Sequence, residues 1–288
     1  MGSASAAPDP ASRWDIATPS TGRLAGVAMA GFRERFAGPL DLAVVPYPAV
    51  TVVVDLGSAE ELSVVDDRGR REYGAVVAGL VPSGLRGIGR DVECLQIRLS
   101  PLVAHSVLDA GVHLGGEVVA LDALWGREAE LIRERIRAAP TWTERFACAE
   151  GALGHRLRTG RAVDPEVAAT WRRLVAERGR VRVDELADEV GWSRKRLWSR
   201  FSTQVGLSPK RAARLVRFDR AVHRLAAGQR PADVAAMTGF ADQSHLHREV
   251  VAFTGTTPVA VAAAPWLAVD SDAWGRGDGE GEEPPRGR

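Results

Sequence analysis

The sequence predicts an α+β protein in which a strand-rich first part with some helices precedes an all-helical second part. Three observations point there. Between residues 40 and 99 the apolar side chains fall in short β-branched segments parted by Pro, Gly or Asp. From Glu166 almost to Trp266 they recur at helical spacing instead. Positive charge is confined to that second part: residues 1–170 carry 18 basic and 22 acidic side chains, residues 171–266 carry 17 and 9, and residues 267–288 carry 3 and 6.

A chain of 288 residues with 45% apolar side chains has the length for two domains and a substantial core. Its opening, MGSASAAPDPAS, lacks the basic start and apolar run of a secretory signal, and no stretch is apolar for long enough to cross a bilayer. The expectation is a cytoplasmic protein with no membrane partner. Cys94 and Cys148 sit among apolar neighbours and read as buried thiols, too few for a disulfide framework or a metal cluster.

The elements follow in order. Residues 1–12 form a Pro/Ala/Ser-rich leader that should be disordered. Strands are expected at Leu42 to Val45, Val50 to Leu56, Leu62 to Val65, Ala75 to Val81 and Val92 to Leu99, a spacing that suits a small barrel or sandwich. Ser100 and Pro101 then open a helix, Leu121 to Arg137 is amphipathic, and Thr141 to Leu157 places Trp142, Phe146, Ala149 and Leu153 on one face. These elements make a first domain over residues 13–158. Residues 159–165 are small and polar and form the linker, residues 166–266 form the helical domain, and residues 267–288, rich in Gly, acid, Pro and Arg, read as a disordered tail.

Within the helical domain one pattern occurs twice. Ala187, Gly191, Trp192, Leu197, Gly206, Ser208 and Pro209 return as Ala235, Gly239, Phe240, Leu246, Gly255, Thr257 and Pro258. The offset is 48 up to the aromatic and 49 from Leu246 onward, which puts one extra residue early in the second helix of the second copy. A small residue where two helices cross, a glycine that turns the chain and apolar residues that lock the second helix are the needs of a helix-turn-helix. Leu186, Val190, Leu197 and Phe201 supply the first lock; Val234, Ala235, Met237, Leu246, Val250 and Phe253 are the apolar set of the second.

What each second helix leaves outward indicates its partner. In the first copy, after a Ser193 cap, these are Arg194, Lys195, Arg196, Trp198, Ser199 and Arg200. In the second they are Asp242, Gln243, Ser244, His245, His247 and Arg248. Arg and Lys release counterions from phosphates, while Gln and Arg can bond adenine and guanine in a bidentate way, so double-stranded DNA is the expected partner. One copy by itself is weak support, since a basic helix face is usually solvated surface. Two copies, a connecting helix from Ser208-Pro209 to Gly228 and a localised positive field reinforce one another.

The run Gly239-Phe240-Ala241-Asp242-Gln243-Ser244-His245-Leu246-His247-Arg248, ending in Gly255-Thr256-Thr257-Pro258, resembles the signature of AraC/XylS-family transcriptional regulators. Gly191-Trp192-Ser193 with Leu197, Phe201 and Gly206-Leu207-Ser208-Pro209 resembles their first unit. The resemblance implies a seven-helix DNA-binding domain whose recognition helices enter successive major grooves, behind a cupin-like β-barrel for effector binding or dimerisation. By position it puts base reading on Lys195, Trp198 and Ser199 and on Gln243, Ser244, His245 and Arg248. The sequence departs from the family at Ser199, where arginine is usual, at Leu246 and Val250, where aromatics are common, and over Val259 to Ala264, which lacks the Tyr-Arg ending.

Gly115-Gly116-Glu117-Val118-Val119, Leu121 and Leu124-Trp125-Gly126 also look like sensory domains of that family. His105, His113 and His155 are too scattered for a cupin metal site, and no nucleophile triad or phosphate loop stands out, so neither cofactor nor enzyme activity is expected. Trp14, Tyr47, Tyr73 and Arg98 could line a pocket for a small-molecule effector, although packing is the commoner role for each. RNA polymerase joins the partners if the protein activates transcription. The faces of Leu121 to Arg137 and Thr141 to Leu157 either pair subunits in a homodimer or cover the barrel. The alternative function is non-specific nucleic-acid binding of an architectural kind.

Overall fold

The computed structural model describes residues 10–20, 24–36, 38–57, 62–81, 84–109 and 116–274. Its first part carries strands β1 (Trp14–Ala17), β2 (Val27–Glu34), β3 (Pro39–Ala43), β4 (Val50–Asp55), β5 (Leu62–Val65), β6 (Arg71–Tyr73), β7 (Ala75–Ala78), β8 (Arg86–Arg90), β9 (Glu93–Leu99) and β10 (Val118–Ala120). They form a six-stranded sheet in the order β1-β2-β9-β4-β7-β10 and a four-stranded sheet in the order β3-β8-β5-β6. Every pairing is antiparallel. The helices of this part are α1 (Pro101–Leu108), α2 (Asp122–Trp125), α3 (Arg127–Ala138) and α4 (Trp142–Thr159).

Strand β9 shows how the layers arise. Its ladder runs on both sides, with Leu95 opposite Gly31 of β2 and Val54 of β4. Side chains alternate across a strand. Leu95, Ile97 and Leu99 therefore join the apolar cluster beneath the helices, while Cys94, Gln96 and Arg98 face a cavity shared with the smaller sheet. Burial on both faces is why Gln96 and Arg98 keep only 9% and 4% of their surface exposed. On the helix side Gly31 has to be small, because a Cβ there would stand 2.3 Å from the Trp142 ring of α4.

Local signals start the helices as the sequence predicts. Ser100 Oγ accepts from the Val103 N–H at 3.3 Å ahead of Pro101, and Thr141 with Glu144 forms a capping box at the start of α4. The sheets differ more from expectation. The first predicted strand, Leu42 to Val45, lies earlier as β3, and β1, β2, β6, β8 and β10 were not expected. Strand β2 reads VAMAGFRE and β8 reads RGIGR, too rich in Ala and Gly to signal a strand. Ladder partners on β9, and on β3 and β5, hold them in place. The α+β class stands, with two antiparallel sheets first and helices after, but the two sheets are separate rather than one closed barrel among the described residues.

The second part is helical throughout: α5 (Pro165–Ala176), α6 (Val183–Glu189), α7 (Arg194–Val205), α8 (Pro209–Ala226), α9 (Pro231–Thr238), α10 (Gln243–Thr254), α11 (Pro258–Ala262) and α12 (Pro265–Trp274). One apolar cluster runs without a break from Val77 and Leu95 of the larger sheet, through Val107 and Leu153, to Leu174, Leu197 and Phe218. Helix α1 packs directly on α7.

The tail needs a correction. It was expected to be disordered from residue 267, yet it is helical as far as Trp274. Three of its apolar residues are buried: Leu267 joins the helical core, while Val269 and Ala273 pack with Trp14, Phe32, Leu40 and Cys94 between the two sheets. Composition counts apolar residues but not the sites that receive them. Residues 275–288 lie outside the described residues, as do residues 1–9 of the leader, whose end, Pro10–Arg13, forms a 3-10 turn. No described helix is long and apolar enough to cross a membrane, and among the described residues no group of His, Cys, Asp and Glu could hold a metal ion.

Candidate nucleic-acid interface

The duplicated pattern becomes two helix pairs, α6 with α7 and α9 with α10. Ala187 and Ala235 are each 1% exposed where the helices of a pair approach, and Leu186, Leu197, Phe201, Val234, Leu246 and Val250 are fully buried around them. Gly191 and Gly239 turn the chain with φ of +66° and +81°, a left-handed conformation that costs an L side chain energy. Ser193 Oγ accepts from the Arg196 N–H at 3.2 Å to cap α7, and Asp242 Oδ1 accepts from the His245 N–H at 2.6 Å to cap α10.

These caps locate the extra residue of the second copy. Helices α7 and α10 each have 12 residues, and each ends on a left-handed glycine, Gly206 and Gly255. The change of offset therefore falls between Gly239 and the cap at Asp242. Ala241, in the turn, is the insertion, and the placement inside the helix is corrected. A turn absorbs a residue cheaply, whereas a helix would rotate its outward face by about 100°.

Helix α8 joins the units. Ser208 caps it through the Arg211 N–H at 3.3 Å, and its 18 residues make a rod of roughly 27 Å. Two contacts tie it to α10: Arg214 Nε donates to both carboxylate oxygens of Glu249, at 2.9 and 3.1 Å, and the Phe218 and Phe253 rings lie 4.7 Å apart. The sequence reading missed the Arg214–Glu249 tie. Its signal was an acid amid the otherwise apolar run of α10.

Of the predicted DNA-facing residues, Arg194, Lys195, Arg196, Trp198 and Ser199 are exposed on the first turns of α7, and Gln243, Ser244, His247 and Arg248 on those of α10. Trp198 is 58% exposed, an unusual position for so large an apolar surface. Arg196 stacks over the Trp192 ring at 4.4 Å, and Arg194 reaches Asp184 at 3.1 Å.

Other predicted residues are already engaged by the fold. Arg200 donates through Nε and Nη2 to Asp164 at 2.6 and 2.8 Å, and these bonds hold the Asp164 carboxyl below the usual carboxylate range. Arg200 is thus exposed on α7 and also tied to the residue that precedes α5. Asp242 is the cap of α10. His245 turns inward, its ring edge-on to Phe240 at 5.3 Å and its Nδ1 accepting from the Ala241 N–H at 3.3 Å. Met237, placed in the second apolar lock, is instead 52% exposed, because that lock closes on Val234 and Ala235.

In the first part Trp14, Tyr47 and Arg98 line one cavity of about 90 Å³ between the sheets, while Tyr73 lies at the surface. Arg98 Nη2 donates to Asp270 Oδ1 of α12 at 2.5 Å, and its guanidinium lies 3.9 Å from the Tyr47 ring centre and 4.0 Å from that of Trp274. Desolvation, with the charges of Asp219 and Asp270, pushes the Tyr47 hydroxyl up to about 12. Asp270 Oδ2 in turn accepts from His223 Nε2 of α8 at 2.6 Å.

Two helix-turn-helix units, one rigid helix between them, a basic outward face on α7 and a polar one on α10 define a DNA-binding domain. Residues 186–264 match the helix-turn-helix domain family. An uncharacterised HTH-type transcriptional regulator of Bacillus subtilis (strain 168), YbfI, is 38% identical over 66 residues. That stretch is 23% of this chain and 24% of the relative, so the chain matches about a quarter of the curated relative's length. Among solved structures, ToxT from Vibrio cholerae O395 aligns over 84% of this chain and 98% of its own, with a TM-score of 0.46 and 10% identity. The AraC-like transcriptional activator CuxR aligns over 69% and 83%, with a TM-score of 0.32 and 16% identity. At these scores the likeness stops short of establishing one shared overall fold.

Proposed function

We propose that the chain is an effector-responsive transcriptional regulator that reads two successive major grooves, α7 acting chiefly as the anchor and α10 as the reader. The repetition itself carries the reading: two second helices of 12 residues, each with a side-chain cap and a left-handed C-terminal glycine, joined by one unbroken helix. A rod of roughly 27 Å with its flanking turns can span the about 34 Å between major-groove faces on one side of a duplex. Lys195 and Arg194 supply phosphate contacts and Trp198 an apolar one, while Gln243, Ser244, His247 and Arg248 carry the groups that distinguish bases. The cavity around Arg98 is the effector site, residues 13–158 being the sensory unit and residues 166–266 the DNA-binding unit.

Selection of bound sequences from a random DNA pool by the full chain tests this. The expected product is a site with two conserved blocks one helical turn apart, bound with affinity that falls steeply as salt rises. Equal affinity for selected and random DNA would favour non-specific binding of an architectural kind and overturn the proposal.

A further inference from the structure

The cavity between the sheets is walled by apolar side chains on nearly every side, and Arg98 is the charged residue among the described residues of that wall. Its partner carboxylate does not come from the sheets. Asp270 arrives from α12, 172 residues further along the chain, and its neighbour Val269 lines the same cavity. One strand position away on the same face, Gln96 is nine-tenths buried, and its Oε1 has no hydrogen-bond partner among the described residues. An acceptor buried in that state calls for a donor.

Resting on the effector reading above, we propose that the cavity binds a compact hydroxy acid, its carboxylate taking the place of Asp270 on Arg98 and its hydroxyl donating to Gln96 Oε1. Asp270 is thus an internal surrogate for the ligand's acid group. Residues i and i+2 of a strand stand about 6.5–7 Å apart, which sets the carboxylate-to-hydroxyl span, and a cavity of about 90 Å³, enlarged as Asp270 withdraws, holds the ligand to a compact skeleton. A neutral ligand would leave the guanidinium without its counter-charge, and an acid without a donor would leave Gln96 Oε1 without a partner.

Binding carries a mechanical consequence. Asp270 holds Arg98 with one oxygen and His223 of α8 with the other. A ligand that claims Arg98 leaves Asp270 to His223, so α12 stays with the helix that joins the reading heads and parts from the N-terminal sheets. Occupancy of the cavity is thereby communicated to the DNA-binding unit through one carboxylate.

The test uses the full chain and trans-4-hydroxycyclohexanecarboxylate, followed by titration calorimetry and by DNA affinity. Saturable binding is expected, at least tenfold tighter than that of cyclohexanecarboxylate, which lacks the hydroxyl, or of the corresponding hydroxy amide, which lacks the charge. Asp270→Asn, which removes the competing charge at nearly constant shape, should tighten binding several-fold. Gln96→Leu should erase the preference for the hydroxylated acid without abolishing binding of either, and it keeps the test open if an Arg98 variant fails to fold. No binding to either wild type or Asp270→Asn overturns the site while leaving DNA recognition intact. Binding that leaves DNA affinity unmoved overturns the release of α12, and loss of DNA binding without ligand is a failure of the regulator reading instead.

Discussion

Arg98 and Asp270 are separated by 172 residues of sequence and by 2.5 Å in space. The first lies on the central strand β9 of the larger sheet and the second on the last helix, after the second helix-turn-helix unit. Each is almost fully buried, at 4% and 6% exposed. Burying an ion pair is costly unless other bonds complete it. Here the Tyr47 and Trp274 rings flank the guanidinium, and His223 takes the second carboxylate oxygen. The N-terminal sheets and the DNA-binding helices are thus joined by polar groups as well as by their shared apolar core.

Stability should fall as pH rises from about 6.5 through 9. Burial opposes the charged form of His223, but its bond to Asp270 and the charges of Asp219 and Asp270 prevail and raise it to about 9. A histidine raised above its unfolded value contributes fully below that value and loses the contribution as pH passes the folded one. Asp219 works in the same direction lower down: burial raises it to about 6, so its ionisation costs stability as pH climbs from 4 to 6. A melting-temperature series from pH 6 to 10, over which Tyr47 stays neutral, should decline in wild type. His223→Gln should start lower at pH 7 and run flatter to pH 9; an unchanged slope would remove His223 as the cause.

Trp198→Ala should weaken DNA binding by roughly tenfold, about 1–2 kcal/mol, with the melting temperature unchanged. A side chain 58% exposed on α7 contributes little to the core. Equal DNA affinity in a filter or anisotropy assay would show that the tryptophan serves another surface.

Lys195→Ala and Arg200→Ala should part company. Lys195 is exposed, so its loss should lower the slope of log affinity against log salt by about one. Arg200 is committed to Asp164, and its removal should leave that slope alone while lowering thermal stability slightly. Identical slopes for both variants would return Arg200 to the DNA-facing set.

Glu249→Gln should destabilise the fold by about 1–3 kcal/mol, because the Arg214 guanidinium it holds on α8 loses a charged partner in a half-buried place. Urea unfolding should show a lower midpoint with an unchanged m-value. A midpoint equal to wild type would mean that the α8–α10 tie contributes little.

Much of the DNA-binding part was legible in the sequence because its needs are local. Glycine at a left-handed turn, Ser193 or Asp242 at a helix start and apolar residues at helical spacing each act within a few residues of where they stand, and the duplication doubled every signal. Helical phase could not show the further contacts of Arg200, Asp242 and His245. Asp164 and Phe240, brought close by neighbouring turns, meet Arg200 and His245, and Asp242 also caps its helix.

The sequence by itself determined the class of this protein: an α+β chain, a positive charge confined to the helical part, and a helix-turn-helix made twice. Tertiary structure decided what could not be periodic. It made strands of VAMAGFRE and RGIGR by giving them ladder partners, turned Trp14, Tyr47 and Arg98 into one cavity wall, and drew residues 265–274 out of an acidic tail into a helix against the sheets. Propensity and capping are energies of neighbours in sequence, whereas burial and ion pairing are energies of neighbours in space. The union of Arg98 with Asp270 belongs wholly to the second kind.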